Sequence, residues 1–228
     1  MRARDIMTTN VVTVTPETSV PAIAELLLSR NISGVPVTDE NGAVVGIVTE
    51  GDLIQQGESG ATHTSWWLSL FGDSADTAGH YIKTHGKNAA DVMTRTVMTM
   101  EEDALIGDIA RAMAERHIKR IPIVADGQLV GIVSRSNLLR GVLTRETDTG
   151  SSTDDREIKD TILKAVNEQG WVTHGTLNVI VSAGVVELWG WVESAAERRA
   201  LTLLAQDVKG VSRVEDHLGA IPHYLEST

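Results

Sequence analysis

The sequence predicts an α+β protein built from two related repeats and a third, smaller domain. Three observations support this prediction. The chain matches itself at an offset of 86 residues, which becomes 85 after a gap near Asn41. Strand-like and helix-like segments alternate within each copy, and a polar stretch precedes a differently patterned C-terminal region. Because a solenoid needs at least about three repeats, two copies indicate a pair related by a pseudo-twofold axis.

The repeat is defined by two matching phrases. The phrase DIMT at residues 5–8 aligns with DVMT at 91–94, and GIVTEGDLI at 46–54 aligns with GIVSRSNLL at 131–139. The predicted organisation is a first repeat at residues 1–57, a Trp-rich connector at 58–88, a second repeat at 89–145, a linker at 146–153 and a C-terminal domain at 154–223.

Each repeat is predicted to follow the order β-α-β-β-α. Short β-branched runs predict strands, Ser and Thr favour helix N-caps, and the dipeptide Asn-Gly favours a hairpin turn. In the first repeat these segments are the strand VVTV at 11–14, a helix capped by Ser19 with Pro21 in its first turn, the strands GVPV at 34–37 and VVGIV at 44–48, and a helix capped by Thr49.

The combination of the DxM start, the h-P-V/I strand and the G-I-V-[TS]-x-x-[DN]-L-[IL] phrase resembles a tandem pair of CBS domains, also called a Bateman module. The resemblance covers about residues 1–57 and 89–145. It implies two β-α-β-β-α repeats that hold an adenosine compound between them. A lone GIVT would carry no such implication.

Asp52 follows Thr49 by three residues, in the first turn of a predicted helix. A carboxylate in this position can accept two hydrogen bonds from a ribose diol, and the resemblance implies that Asp52 holds the ribose with help from Thr49. The second repeat has Ser134 and Asn137 instead, and a neutral amide offers one acceptor oxygen. The alternative is that Asp52 and Asn137 only cap their helices.

Basic residues are also distributed unequally between the repeats. Lys119 and Arg120 follow Arg116 and His117 in the second repeat, where the first has Ser33 and Gly34. Arg offers a planar fork for phosphate oxygens, and Lys offers a point charge. The alternative is a solvated helix end whose cations suit the negative C-terminal dipole.

In CBS pairs that this chain resembles, one repeat supplies the ribose carboxylate and the other supplies the phosphate cations. The implied nucleotide site consists of Thr49, Asp52, Val97, Met98, Lys119 and Arg120, with the base held near Val97 and Met98. The mirror site, consisting of Val11, Val12, Ser33, Ser134 and Asn137, is expected to be degenerate. Because the first site carries cations, AMP, ADP or ATP is favoured over S-adenosylmethionine as a regulatory ligand, and no cofactor is required.

The connector contains a dense apolar cluster around Trp66, Trp67 and Phe71. We expect this cluster to pack on the repeats, in a dimer interface or within one chain, and the alternative is a contact surface for a partner. The histidines at 63, 80 and 85 are not one helical turn apart, and no cysteine accompanies them. No metal site is therefore expected.

The C-terminal region is predicted to have the order α-β-β-α-β. Ile158, Ile162, Leu163 and Val166 mark the apolar face of its first helix, and Ala196, Ala200, Leu203 and Leu204 mark that of its second. Val179, Val181, Val186, Leu188 and either Trp189 or Trp191 are expected in the core, and the spacing of the two tryptophans places both on one face of a strand.

This region resembles a BON domain over about residues 154–221. The resemblance rests on the phrases Gly184-Val185-Val186, Leu188-x-Gly190-x-Val192 and Gly210-Val211-x-x-Val214. BON domains are associated with phospholipid or membrane-surface binding. Residues 146–228 hold 7 basic and 14 acidic residues, a net charge of −7, which disfavours attachment to anionic lipid. The partner of this domain, a protein or a membrane surface, stays open.

Composition excludes several classes of function. The formal net charge is −11 and there is no cysteine, so neither nucleic-acid binding nor Cys-ligated zinc is expected. No run of about 18 apolar residues predicts a membrane span, and no signal peptide is recognised, so a cytoplasmic location is expected. We find no nucleophile with a base and no Walker-type loop, which indicates that the chain is not an enzyme.

Two functions remain. The first is a non-enzymatic regulatory module in signal transduction, in which the CBS pair senses an adenine nucleotide and the BON domain is the output. The second is a ligand-free CBS dimer scaffold, or adaptor, in which the BON domain carries the binding activity. Both interpretations include a homodimer formed through the CBS pair.

Overall fold

The computed structural model describes residues 1–57, 86–145, 153–169 and 177–220. These residues form two compact units. One unit contains residues 1–11, 98–126 and the described residues from 130 onward, and the other contains residues 12–97 and 127–129. The cluster around Trp66 and the histidines at 63, 80 and 85 lie outside the described residues.

In the unit around residues 12–97, a tight turn separates one helix and one strand on its N-terminal side from one strand and one helix on its C-terminal side. Ser19 caps α2 as predicted, because its Oγ accepts a hydrogen bond from Ala22 N at 3.4 Å. Asp39 Oδ1 accepts from the amides of Asn41 and Ala43, both at 2.9 Å, which fixes the turn. The elements are α2 (Val20–Ser29), β1 (Gly34–Thr38), β2 (Val44–Thr49) and α3 (Glu50–Gly57), followed by α4 (Ala89–Val92), with β1 antiparallel to β2.

The second repeat shows the same succession in the other unit. Its elements are β3 (Met100–Glu101), α5 (Ile106–Glu115), β4 (Arg120–Ala125), β5 (Gln128–Ser134) and α6 (Arg135–Arg145), with the strand order β3-β4-β5. Its core also includes the short helix α1 (Ala3–Ile6). The largest fully buried side chains of this core are Ile6, Ile109, Ile121 and Ile123.

The predicted opening strand of each repeat is much shorter than expected. Among the described residues, VVTV makes one parallel bridge, between Val14 and Val37, and β3 of the second repeat contains two residues. The prediction missed the four-residue helices α1 and α4. In each of them the aspartate of the DxM phrase accepts from a preceding backbone amide, Asp5 from Arg2 N at 2.7 Å and Asp91 from Asn88 N at 3.2 Å.

The segments that begin the two sequence repeats exchange partners. Residues 1–11 pack with the second repeat, where Thr8 pairs with Ile132 through hydrogen bonds of 3.1 and 2.9 Å. In the other unit Thr94 pairs in the same way with Ile47, at 2.9 and 3.0 Å. The boundaries of the compact units therefore differ from those of the sequence repeats.

This exchange explains the glycine that opens both GIV phrases. The Met7 thioether lies directly over Gly131, and in the other unit the Met93 thioether lies over Gly46. A Cβ at either glycine would overlap the methionine side chain. Glycine is therefore required for close packing at these two places.

The C-terminal region has the predicted order α-β-β-α-β. Its elements are α7 (Thr153–Gln169), β6 (Asn178–Ser182), β7 (Val185–Val192), α8 (Ala195–Gln206) and β8 (Arg213–Ala220). Strands β6 and β7 are antiparallel, and β8 is parallel to β7. The β6–β7 turn has positive φ at Ala183 and Gly184, and the Asp155 carboxylate accepts both of their amides, at 3.2 and 2.8 Å.

Two expectations for this core were wrong. Neither Trp189 nor Trp191 belongs to it, because both lie on the opposite face of β7. Trp189 stacks on His217 with ring centroids 4.0 Å apart, and Trp191 is 40% exposed. On α8 the buried apolar residues are Leu201 and Ala205, whereas the expected Ala196 and Leu203 are exposed.

Candidate functional site

Thr49 and Asp52 form a compact hydrogen-bonded pair where β2 meets α3. The Asp52 carboxylate accepts from Thr49 N at 2.9 Å and from Thr49 Oγ1 at 2.7 Å. Thr49 was expected to cap the helix as an acceptor, and the structure shows it as the donor to Asp52. These two hydrogen bonds hold the carboxylate in place at a helix N-terminus, and both residues are half-buried.

Ser134 and Asn137 repeat this arrangement in the second repeat, but the amide is buried. Asn137 Oδ1 accepts from Ser134 N at 2.9 Å and from Ser134 Oγ at 2.5 Å. Its Nδ2 donates to Ile6 O at 2.9 Å and to Thr8 Oγ1 at 3.3 Å, and the residue is 2% exposed. An ionised aspartate has no hydrogen to donate at this place, which explains why the second repeat has asparagine where the first has Asp52.

The predicted phosphate cations lie at the start of β4. Lys119 is exposed, and Arg120, the first residue of β4, is half-buried. Lys119 O accepts from Arg135 N at 3.1 Å, as Ser33 O accepts from Glu50 N at 3.2 Å in the other repeat. Ser33 and Lys119 are therefore structurally equivalent, as the alignment predicted.

The residues predicted to enclose the base occupy equivalent turns. Val97 N donates to Arg95 O at 3.0 Å, and Val11 N donates to Thr9 O at 2.7 Å. Val97, Met98, Val11 and Val12 are all half-buried. Their side chains offer apolar surface of the kind that packs against an adenine ring.

The structure groups the predicted site residues by compact unit. Thr49, Asp52 and Val97 lie in one unit together with Val12 and Ser33, and the remaining residues, which are Met98, Lys119, Arg120, Val11, Ser134 and Asn137, lie in the other. The joint nucleotide site stays a prediction.

Sequence reasoning missed a buried polar group between the second repeat and the C-terminal domain. Lys159 donates to Arg4 O at 2.7 Å and to Asp5 O at 3.3 Å. Burial lowers the pKa of Lys159 to about 8, and the charges of Asp5 and Asp160 oppose this effect. The sequence contained one indication of this contact, because Lys159 follows Ile158 on the apolar stripe of α7.

Among the residues that the structure describes, no group of three or more His, Cys, Asp or Glu side chains is arranged to hold a metal ion. Within the same residues, no helix combines the length and the apolarity needed to cross a membrane.

Sequence comparison then identifies the repeats. The profile of the CBS domain matches residues 3–58 and 89–144, and the profile of the BON domain matches residues 154–220. The chain belongs to the CBS domain family and carries a BON domain after the second CBS repeat.

The relatives share the CBS pair. The chain is 34% identical over 153 residues to the chloroplastic CBS domain-containing protein CBSX2 of Arabidopsis thaliana, which covers 63% of each chain. It is 32% identical over 158 residues to the uncharacterized protein MJ1426 of Methanocaldococcus jannaschii, covering 63% of this chain and 92% of that one. The chain thus spans about three fifths of the length of its plant relative.

A crystal structure of CBSX2 in complex with AMP has a similar fold. It is 32% identical in sequence, gives a TM-score of 0.55 and covers 64% of this chain and 98% of that chain. This similarity confirms the α+β class, and the two family profiles confirm the tandem CBS pair followed by a BON domain.

Proposed function

We propose that the CBS pair is a non-enzymatic regulatory module that binds one adenine nucleotide, AMP, ADP or ATP, per chain. The observation that carries this proposal is the difference between Asp52 and Asn137. The half-buried Asp52 carboxylate is held at a helix N-terminus, whereas the Asn137 amide is buried and bonded on both sides to protein. The similarity to CBSX2, which was crystallised with AMP, supports the same ligand class.

In this proposal Asp52 and Thr49 hold the ribose, and Lys119 and Arg120 neutralise the phosphate. Val97 and Met98 pack on the base. The carboxylate accepts hydrogen bonds from the ribose diol, and the cations donate hydrogen bonds to the phosphate. These recognition elements are independent, so each should make its own contribution to affinity. Because the cations favour a phosphorylated ligand, S-adenosylmethionine is expected to bind more weakly.

The test is a thermal-shift panel with AMP, ADP, ATP and S-adenosylmethionine. A ligand that binds only the folded protein raises the Tm with its concentration. Arg120→Ala is expected to reduce the shift, and Arg111→Ala is a matched control because Arg111 is an exposed arginine on α5 that pairs with Asp108. No shift with any nucleotide at millimolar concentration would contradict the proposal.

The ligand-free dimer scaffold is a second candidate, and one observation favours it. Leu139, Val142 and Leu143 are exposed at i, i+3 and i+4 on α6, which makes an apolar stripe suited to a second copy of the chain. Analytical ultracentrifugation of Leu139→Asp tests the dimer. A scaffold would dimerise without any nucleotide-dependent change in Tm, whereas a protein that is monomeric at all concentrations would exclude it.

The output of the module is proposed to be the BON domain, acting on a protein or a membrane surface. The cytoplasmic location stays a prediction. Pull-down and vesicle sedimentation, each with and without AMP, test the output. Binding that is the same in both conditions would contradict a nucleotide-controlled output.

A further inference from the structure

The short helix α1 ends in carbonyl groups that the helix itself cannot satisfy. A helix leaves its last four carbonyls without helical partners, and a four-residue helix consists largely of such groups. Lys159 of the BON domain bonds to two of them, Arg4 O and Asp5 O. Lys159 is itself buried, so this bond lies inside the unit rather than on its surface.

The next two carbonyls are bound by buried asparagines. Asn178, the first residue of β6, donates from Nδ2 to Ile6 O at 3.0 Å and to Met7 O at 2.9 Å. Asn137 donates to the same Ile6 O at 2.9 Å. One carbonyl is therefore shared by an amide of the second CBS repeat and an amide of the BON domain.

The contact between Asn178 and the end of α1 lies on the second face of the BON sheet, the face that points away from the BON core. Val179 and Val181 of β6 point into the core with α7 and α8, so Asn178, Ile180 and Ser182 point the other way, and all three are buried. Ser182 of β6 and Leu143 of α6 line a cavity of about 200 Å³ on this face. In this arrangement β6 offers neither of its faces to an outside partner.

The guanidinium of Arg140, on the same helix as Asn137, adds a second link. It lies 5.1 Å from the centroid of the Trp189 ring, a distance typical of a cation–π contact. Helix α6 therefore contacts the BON sheet directly, because Arg140 packs on Trp189. It also contacts the sheet indirectly, because Asn137 and Asn178 both donate to Ile6 O at the end of α1.

We propose that the end of α1 couples the second CBS repeat to the BON domain. Asn137 is the positioning residue that keeps the BON sheet docked against α1 and keeps the second face of that sheet covered. Because Asn137 aligns with Asp52, the second repeat has a docking residue where the first has the proposed ribose ligand. This inference goes beyond nucleotide binding and does not depend on it.

The experiment uses the absence of cysteine from the natural chain. Ser182→Cys places a single thiol on the covered face, and Ala205→Cys places one in the BON core, where the residue is fully buried. The rate of modification by a thiol reagent, measured without nucleotide, reports opening at each place. Loss of docking should expose only the Ser182→Cys thiol, whereas global unfolding should expose both thiols.

Asn137→Asp is the decisive variant in this background. It keeps the acceptor oxygen for Ser134 and replaces the donor to Ile6 O with a carboxylate oxygen. We expect the Ser182→Cys thiol to react about tenfold faster, and the Ala205→Cys thiol to react at an unchanged rate. Asn178→Ala should act in the same direction, because it removes the other bond to Ile6 O.

Asn167→Asp is the matched control. Asn167 is an exposed asparagine of α7 whose Oδ1 accepts from Asn10 Nδ2, and aspartate keeps that acceptor. Its labelling rates should equal those of the parent. If the buried carboxylate of Asn137→Asp prevents folding, as judged by circular dichroism, Asn137→Ala removes the donor without adding a charge.

Two outcomes would overturn the proposal. The first is an unchanged Ser182→Cys rate in the folded Asn137 variant. The second is an equal acceleration at Ser182→Cys and Ala205→Cys, since this would show that Asn137 only stabilises the fold.

Discussion

The buried ammonium of Lys159 gives a pH dependence whose sign and size follow from the structure. Burial lowers its pKa from the ordinary 10.5 to about 8 in the folded protein. Between these two values the unfolded chain binds more protons than the folded one, so the free energy of unfolding rises with pH across this window. A difference of about 2.5 pKa units corresponds to about 3 kcal/mol.

The assay is urea unfolding at pH 7, 8, 9 and 10, followed by circular dichroism, for the parent, Lys159→Met and Lys164→Met. The parent should gain about 2 to 3 kcal/mol relative to Lys159→Met between pH 8 and 10, most of the full difference. Lys164 is an exposed lysine on the same helix, so Lys164→Met should follow the parent. Parallel curves for the parent and Lys159→Met would show that folding does not lower the pKa of Lys159, whatever the absolute stabilities.

Three further predictions concern packing and caps, and chemical denaturation measures each of them. Gly131→Ala should destabilise the protein by about 1–3 kcal/mol because the new methyl overlaps the Met7 side chain, whereas Gly107→Ala, in open space on α5, should stabilise it by about 0.5–1 kcal/mol; equal effects would contradict the packing argument. Asp155→Ala should cost about 2–3 kcal/mol, since it removes both acceptors of the β6–β7 turn, and a loss below about 0.5 kcal/mol would show that the turn does not need them. Ser194→Ala should cost about 1 kcal/mol through loss of the α8 N-cap, and an unchanged stability would exclude that role.

Local chemistry made much of the fold predictable. The helix that follows Ser19 and the order of elements in the BON domain depend on capping residues and on hydrophobic spacing within about ten residues, which a sequence displays directly. The apolar face of α7 was predicted for the same reason, and all four of its expected residues are buried.

The elements that were missed depend on partners far away in the chain. VVTV has the composition of a strand, but its neighbours leave room for one bridge at Val14, and α1 is too short to show a helical period. On α8 the many alanines carry little hydrophobic signal. The buried face is instead set by Glu197, whose carboxylate accepts from Glu193 N at 2.7 Å, and by Leu201 one turn later.

The candidate site shows the same limit. The alignment of Asn137 with Asp52 suggested a weakened ribose ligand, and its pairing with Ser134 follows from the motif. The bond from Asn137 to Ile6 O joins residues 131 positions apart, so no local sequence pattern predicts it. The choice of asparagine is therefore explained by the tertiary structure, as a requirement for a donor.

The proposed function depends on Asp52 binding the ribose of a single nucleotide. Isothermal titration of AMP and 2′-deoxy-AMP into the parent and Asp52→Ala tests it most directly, with Asp108→Asn as the control for loss of an exposed carboxylate. We expect one site per chain, about tenfold weaker binding of the deoxy ligand to the parent, and no such difference in Asp52→Ala. Two equivalent sites per chain, or a preference for AMP that survives in Asp52→Ala, would contradict it.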